Sequence, residues 1–295
     1  YSISTGRGCP YSCTFCASDA LNRQYREKNL GKPVRQRSVE NVIEELVLAK
    51  EKYHPQNVYF TDDVFTLNIY WLEQFSKLYQ EKVNLPFYCT ANPGTIKERE
   101  LYLLKDSGCQ MIGFGMQSCN EKYRKDYLRR YGSNEHIAQV ARWCKELKIH
   151  FSFDHILDMP NEPEANQWEA LKFYNETRPD IINTFTMTYL PKIELNKFLD
   201  EKVQQEVNNG KIRTGMFVKN SEYSSSMFAL LPFISQHWFA FLIEKNWRFR
   251  FPFWIRLILK DIKRLLIGRY SDVFFPINLL LTNIKDNLLI KCGLR

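Results

Sequence analysis

Short runs of β-branched and aromatic residues alternate with longer stretches of helical period over residues 1–190, which limits the chain to folds built from βα units around a parallel sheet. Strand-like runs fall near 57–60, 87–90, 111–114, 150–154 and 181–188. Helical stretches lie between them near 69–82, 96–107, 134–147 and 164–176. Another helix begins at Ser38, whose hydroxyl suits an N-cap. From there Val39, Val42, Ile43, Leu46 and Val47 recur at the spacing of one buried helical face. With 295 residues and 44% hydrophobic content, the chain can bury a sizeable core.

Chemistry enters with Cys9, Cys13 and Cys16 in the run Gly-Cys-Pro-Tyr-Ser-Cys-Thr-Phe-Cys. Structural zinc sites and electron-carrying iron-sulfur clusters normally take four protein ligands, so three thiolates on one loop leave a position for something exchangeable. Gly8 and Pro10 suit the tight turn that must curl three sulfurs around one centre. The plain alternative is zinc, or free thiols on a loop. The fourth ligand that zinc would need is not nearby. Cys89, Cys109, Cys119, Cys144 and Cys292 are scattered and read as small buried hydrophobes.

This run resembles the signature of the radical S-adenosylmethionine superfamily. The resemblance implies a [4Fe-4S] cluster held by Cys9, Cys13 and Cys16, with S-adenosylmethionine chelated to the fourth iron and split to a 5'-deoxyadenosyl radical. It implies a partial (β/α)6 TIM-like barrel, with an additional strand before the cluster loop and the chemistry at the C-terminal strand ends. Phe15 matches the family aromatic near the adenine. Asp62 and Asp63, after the run Val-Tyr-Phe, stand where the family holds the cofactor's ammonium, and their Asp-Asp form resembles the branch bearing a cobalamin-binding domain. A helix cap or solvated turn is the bland reading of that pair. Gln117 and Ser118 match a segment contacting the ribose and methionyl part, with Cys119 where glycine is usual. Arg130 fits the arginine that meets the methionine carboxylate, although Arg129 is adjacent. Ile156 would lie on the adenine face, in a stretch whose family glycines are here Asp154, Asp158 and Asn161. His155 reads as a core histidine or a substrate contact, and Thr90, Asn92 and Tyr189 as candidates for the substrate face.

Beyond residue 192 the composition changes, which divides the chain into a core over 1–192 and a helical, basic and aromatic extension over 193–295. Cationic residues and Ile or Leu mix over 254–269, as in an amphipathic helix on an anionic membrane surface or in a helical cap on the barrel. Pro232, Gln236, His237 and Glu244 interrupt the longest apolar run, so no spanning helix is expected. The net charge of +8 would suit nucleic acid, but no RNA-binding signature accompanies it. Eight cysteines without a regular framework, and no apolar leader, point to a reducing, cytoplasmic setting, with membrane association through the extension as its variant. The start at Tyr1 is expected to reflect a missing N-terminal part, and any cobalamin domain would precede it. The function expected is modification of a small or lipid-like substrate by methylation, cyclisation or rearrangement, with a reductant such as flavodoxin or ferredoxin. Two rivals are a non-catalytic electron-transfer module and an RNA-modifying methylthiotransferase.

Overall fold

The computed structural model describes residues 1–214 and 222–267. Six parallel strands form one sheet in sequence order: β1 (Ser2–Ile3), β4 (Val58–Phe60), β5 (Phe87–Ala91), β6 (Cys109–Gln117), β7 (His150–Leu157) and β8 (Ile181–Thr186). The strand expected ahead of the cluster loop is β1, which pairs with β4 through Ser2 and Tyr59. Between β1 and β4 a short antiparallel ribbon joins β2 (Gly6–Arg7) to β3 (Arg35–Gln36). With β1 and β8 not paired to each other, the sheet is an open α/β barrel wall.

The helices crossing between strands are α1 (Ala17–Glu27), α2 (Val39–Tyr53), α3 (Ile69–Lys82), α4 (Glu98–Asp106), α5 (Glu121–Asp126), α6 (Asn134–Glu146) and α7 (Glu164–Thr177). Ser38 caps α2 by accepting from the Asn41 N–H, and Val39, Val42, Ile43 and Leu46 are buried as their spacing predicts. Alternation along the strands then sets two faces. Ile112, Phe114, Met116, Phe151 and Phe153 pack against the helices in the main core, whose centre is an aromatic group of Phe60, Phe65, Phe75, Tyr79 and Phe87. Gly113, Gly115, Gln117, Ser152 and Asp154 therefore alternate onto the inner face.

After β8 come β9 (Thr188–Tyr189), α8 (Glu201–Asn208), β10 (Arg213–Thr214), α9 (Glu222–Leu230), α10 (Gln236–Glu244) and α11 (Phe253–Leu266). Met227, Phe228, Leu231, Phe239 and Ile243 enter the main core, and Phe228 packs on His155 and Tyr174. No helix among the described residues is long and apolar enough to cross a membrane. On α11, Lys260 donates to Thr184 of β8 and Lys263 approaches Asp180, while Phe253, Trp254, Leu265 and Leu266 stay exposed. Cys292 and the end of the 254–269 stretch lie outside the described residues.

Candidate active site

The three cysteines lie on the loop joining β2 to α1, and that loop is strapped from both sides. Thr14 donates to the Leu128 and Tyr127 carbonyls, its own carbonyl accepts from the Leu195 N–H, and Asn22 donates to the Cys9 carbonyl at 2.7 Å. Gly8 takes φ 79, a left-handed conformation that costs glycine little. Cys16 is the N-cap residue of α1. Burial pushes the Cys9 thiol up to about 11 and raises Cys13, and each is raised further by the nearby sulfur charges. Bringing thiolates into such a place requires a cation to compensate them. Among the described residues no three His, Cys, Asp or Glu side chains crowd close enough to chelate one ion. A cubane differs in needing each thiolate on a separate iron.

The paired carboxylates after β4 have separate fates. Asp62 is buried and fully engaged: it accepts from the Thr5 N–H with both oxygens, at 3.1 and 3.0 Å, and from the Thr5 hydroxyl at 2.8 Å. It ties the end of β4 to the turn leading into the cluster loop. Asp63 is exposed, accepts from Ser18 at 3.1 Å, and is close enough to Cys9 to raise its thiol electrostatically. Thr90 donates to the Asp62 carbonyl at 2.6 Å, which fixes this corner to β5.

At the end of β6 the register with β7 shifts between Gly115 and Gln117, and Gln117 has φ 70. Such a bulge re-aims a side chain, and the Gln117 amide lies by Gly115 together with the Arg130 guanidinium. Arg130 stands 3.7 Å from the Cys13 sulfur and donates to Asn92 at 3.4 Å. Its neighbour Arg129 points elsewhere, to Glu194 at 3.2 Å. Ser118 is fully buried and donates to Glu162 at 2.7 Å. Desolvation pushes Glu162 up to about 7. Phe15 and Ile156, far apart in sequence, meet in one apolar cluster with Tyr123, Leu128 and Met159.

The stretch with displaced family glycines has a backbone explanation. Asp158 and Asn161 adopt φ 70 and 57, the region where Asp and Asn substitute for glycine most readily. Asp154 is instead a strand residue on the inner face, opposite Gly115, and accepts from Asn183 at 3.0 Å. Burial raises its carboxyl to about 6, against the pull of Asn183, Arg130 and Lys260. Lys260 is lowered to about 8, chiefly by burial. Neither was singled out as functional in the sequence: Asp154 stood as a departure from glycine, and Lys260 as one cation of an amphipathic stretch.

Other candidates are buried and engaged within the protein. His155 is wholly buried on the helix face, 2.9 Å from the Tyr174 hydroxyl, and desolvation lowers it to about 3. It is a core residue on the helix side of the sheet. Tyr189 is buried as well, in the apolar cluster of Phe15 and Ile156, and donates to the Asp158 carbonyl at 2.6 Å, which braces the turn. Asn92 is buried at the Arg130 end. Cys119 is buried and raised to about 12, which leaves it an inert thiol. Arg124, hidden in a charged run, is also buried and donates to the Ser118 and Gly132 carbonyls and to Asn134. It holds together the two segments carrying Ser118 and Arg130.

Compared with known proteins, residues 3–174 match the radical SAM superfamily. A curated relative, an uncharacterized methyltransferase of Pyrococcus horikoshii, is 27% identical over 172 residues, spanning 58% of this chain and 36% of its own length. The solved cobalamin-dependent S-adenosylmethionine radical enzyme OxsB with aqua-cobalamin bound superposes with a TM-score of 0.58 at 15% identity, covering 98% of this chain and 49% of its own. The radical S-adenosylmethionine methyltransferase TsrM of Kitasatospora setae gives 0.55 at 17% identity, covering 66% of this chain and 37% of its own. The chain thus spans about a third to a half of the length of these relatives. With more than half of its residues matched, the chain belongs to the radical SAM superfamily.

Proposed function

We propose that this radical SAM chain is the catalytic core of an enzyme that modifies a small or lipid-like molecule, with Cys9, Cys13 and Cys16 holding a [4Fe-4S] cluster. The observation that carries the reading is Arg130 beside Cys13, framed by Gln117, Asp63 and the Phe15–Ile156 cluster. A pure electron carrier has no use for such a ligand-binding set. When bound, the cluster supplies the electron that splits S-adenosylmethionine into methionine and a 5'-deoxyadenosyl radical, which takes hydrogen from substrate.

The residues present fit that cofactor. Arg130 offers a planar fork to the methionyl carboxylate, and Asp63 offers an unburied carboxylate to the ammonium. Gln117 provides neutral donors and acceptors for the ribose. Phe15 and Ile156 supply an apolar contact for the adenine. Asp62 and Ser118 act as positioning residues through Thr5 and Glu162. On the inner face Gly113 leaves room for the Tyr88 phenol and Gly115 for the Gln117 amide and the Arg130 guanidinium, with Asp154 and Asn183 beside them as candidates for the substrate side.

Among methylation, cyclisation and rearrangement, the methyltransferase relatives favour methyl transfer. Cobalamin is supported by the Asp62-Asp63 resemblance and by the cobalamin-bound structural neighbour. None of the five histidines sits in a D-x-H-x-x-G run, and three are engaged elsewhere: His155 is buried, His136 pairs with the Ile96 carbonyl and His150 with Asp180. The domain division at 192–193 is part of the proposal too, and it is an organisational one, since α9 and α10 share the main core. The test is anaerobic reconstitution with iron and sulfide, reduction with dithionite, and chromatography for 5'-deoxyadenosine. Product in wild type but not in Cys13→Ala supports the reading; a full cluster with no product overturns it.

A further inference from the structure

In the β2–β3 ribbon Arg7 stands directly opposite Arg35. Like charges in that arrangement repel and cost the ribbon stability. Both side chains are exposed, and neither has an ion-pair partner among the described residues. Their neighbours differ. Arg23 is neutralised by Asp19 and Glu194, and Arg37 by Glu45 at 2.6 Å. Along 26–35, Arg26, Lys28, Lys32 and Arg35 are all exposed, with Glu27 the sole carboxylate of that stretch. This basic face abuts the cluster loop. A Cβ on Gly8 would stand 2.5 Å from the Pro33 carbonyl oxygen, so the two backbones touch one residue before Cys9. Beside the ribbon runs a groove of about 540 Å³, lined by Arg7, Arg35, Gln36, the Arg37–Glu45 pair and the edge of β1.

We propose that this uncompensated basic face is the docking surface for an acidic electron-transfer protein, a flavin or iron-sulfur carrier, that delivers one electron to the cluster held by Cys9, Cys13 and Cys16. It rests on the proposed reductive cleavage, which consumes an electron the chain does not itself provide. The carrier is oxidised by one electron as the cluster is reduced by one; no proton or group moves. A self-repelling arginine pair is costly to the isolated chain, and an acidic partner relieves that cost on contact. Fields of this kind steer a charged partner and fade with ionic strength. The stretch 26–37 carries no aromatic residue, so it lacks the stacking platform expected for RNA bases.

The test uses Lys32→Glu/Arg35→Glu. Glu at 35 turns the cross-strand repulsion with Arg7 into attraction, so the ribbon is kept while the face becomes more acidic. The reconstituted protein is assayed for 5'-deoxyadenosine with reduced bacterial flavodoxin or with dithionite. The expected result is a roughly tenfold lower flavodoxin-driven rate at low salt and limiting donor, a difference that shrinks as salt rises, with the dithionite rate unchanged. Equal flavodoxin-driven rates would overturn the docking surface. If wild type yields no product even with dithionite, the cleavage reading fails, and docking is then decided by fluorescence anisotropy of labelled flavodoxin. Binding weakened about tenfold in the variant supports the surface; equal binding overturns it. Loss of tRNA binding in the variant with flavodoxin binding intact would assign the face to nucleic acid and also overturn it.

Discussion

The mouth of the barrel and the C-terminal helices are held by different physics. At the mouth, polar contacts that cross long stretches of chain fix the geometry: Thr5 to Asp62, Ser118 to Glu162, Arg130 to Cys13. In the C-terminal region, apolar packing does so, with Phe228 and Phe239 fully buried, while no residue of α11 is fully buried. Changes to the mouth side chains that face the cofactor, Asp63 and Arg130, are therefore expected to alter cofactor binding with little loss of stability. Changes in α9 and α10 are expected to do the reverse.

Cys13→Ala, the strongest test of that contrast, should abolish cluster assembly, read as loss of bound iron and of the visible absorbance of the reconstituted protein. Its thermal unfolding should stay close to wild type without the cluster. Next, Phe228→Ala should destabilise by about 3–5 kcal/mol in denaturant titration, the usual range for a buried Phe. Its ring packs on both His155 and Tyr174, so an effect under about 1 kcal/mol would show the extension to be a separate unit.

Asp63→Ala should leave the cluster intact and weaken S-adenosylmethionine binding about tenfold, the worth of one charge-assisted hydrogen bond. Isothermal titration of the loaded protein under anaerobic conditions measures it. Asp62→Ala serves as the counterpart, because its carboxylate is spent on Thr5. It should cost stability by about 1–3 kcal/mol through the unsatisfied Thr5 groups. Were Asp63→Ala to unfold the protein and Asp62→Ala to spare it, the division between the two carboxylates would be inverted.

The smallest expected effect concerns Glu162. Its carboxyl is raised to about 7 from an ordinary value of 4.5, so the folded state binds its proton more tightly than the unfolded chain does. The corresponding stability is present below pH 4.5 and is lost as pH rises toward 7. Allowing for its partial exposure, the loss amounts to about 1–2 kcal/mol. The difference in stability between wild type and Glu162→Gln should follow that window, whereas a flat difference from pH 4 to 8 would remove Glu162 as a titrating group.

The scaffold was legible in the sequence where local rules suffice. Apolar spacing after Ser38 locates α2, and the six βα units appear as six parallel strands in order. The three cysteines were legible because one loop carries them all. What local pattern could not show was the outcome of long-range contacts. Adjacent Asp62 and Asp63 are equivalent in sequence, and only the Thr5 N–H, brought by β1, separates them. The weak glycine match around Asp158 and Asn161 concealed a backbone that those residues reproduce at φ 70 and 57. Of the two readings of His155, the core histidine is the one found, because strand parity counted from Phe153 places it with the helices. Lys260 stood only as one cation of an amphipathic stretch, since nothing in such a stretch says which neighbour its face meets.

The central claim is that the cluster loop presents an open coordination position beside Arg130. Electron paramagnetic resonance of the dithionite-reduced, reconstituted protein tests it most directly, recorded with and without S-adenosylmethionine. The expected result is a reduced-cluster signal whose g values shift on addition, with the shift weakened in Arg130→Ala, where the cluster itself remains. A signal unchanged by S-adenosylmethionine at saturating concentration would contradict it.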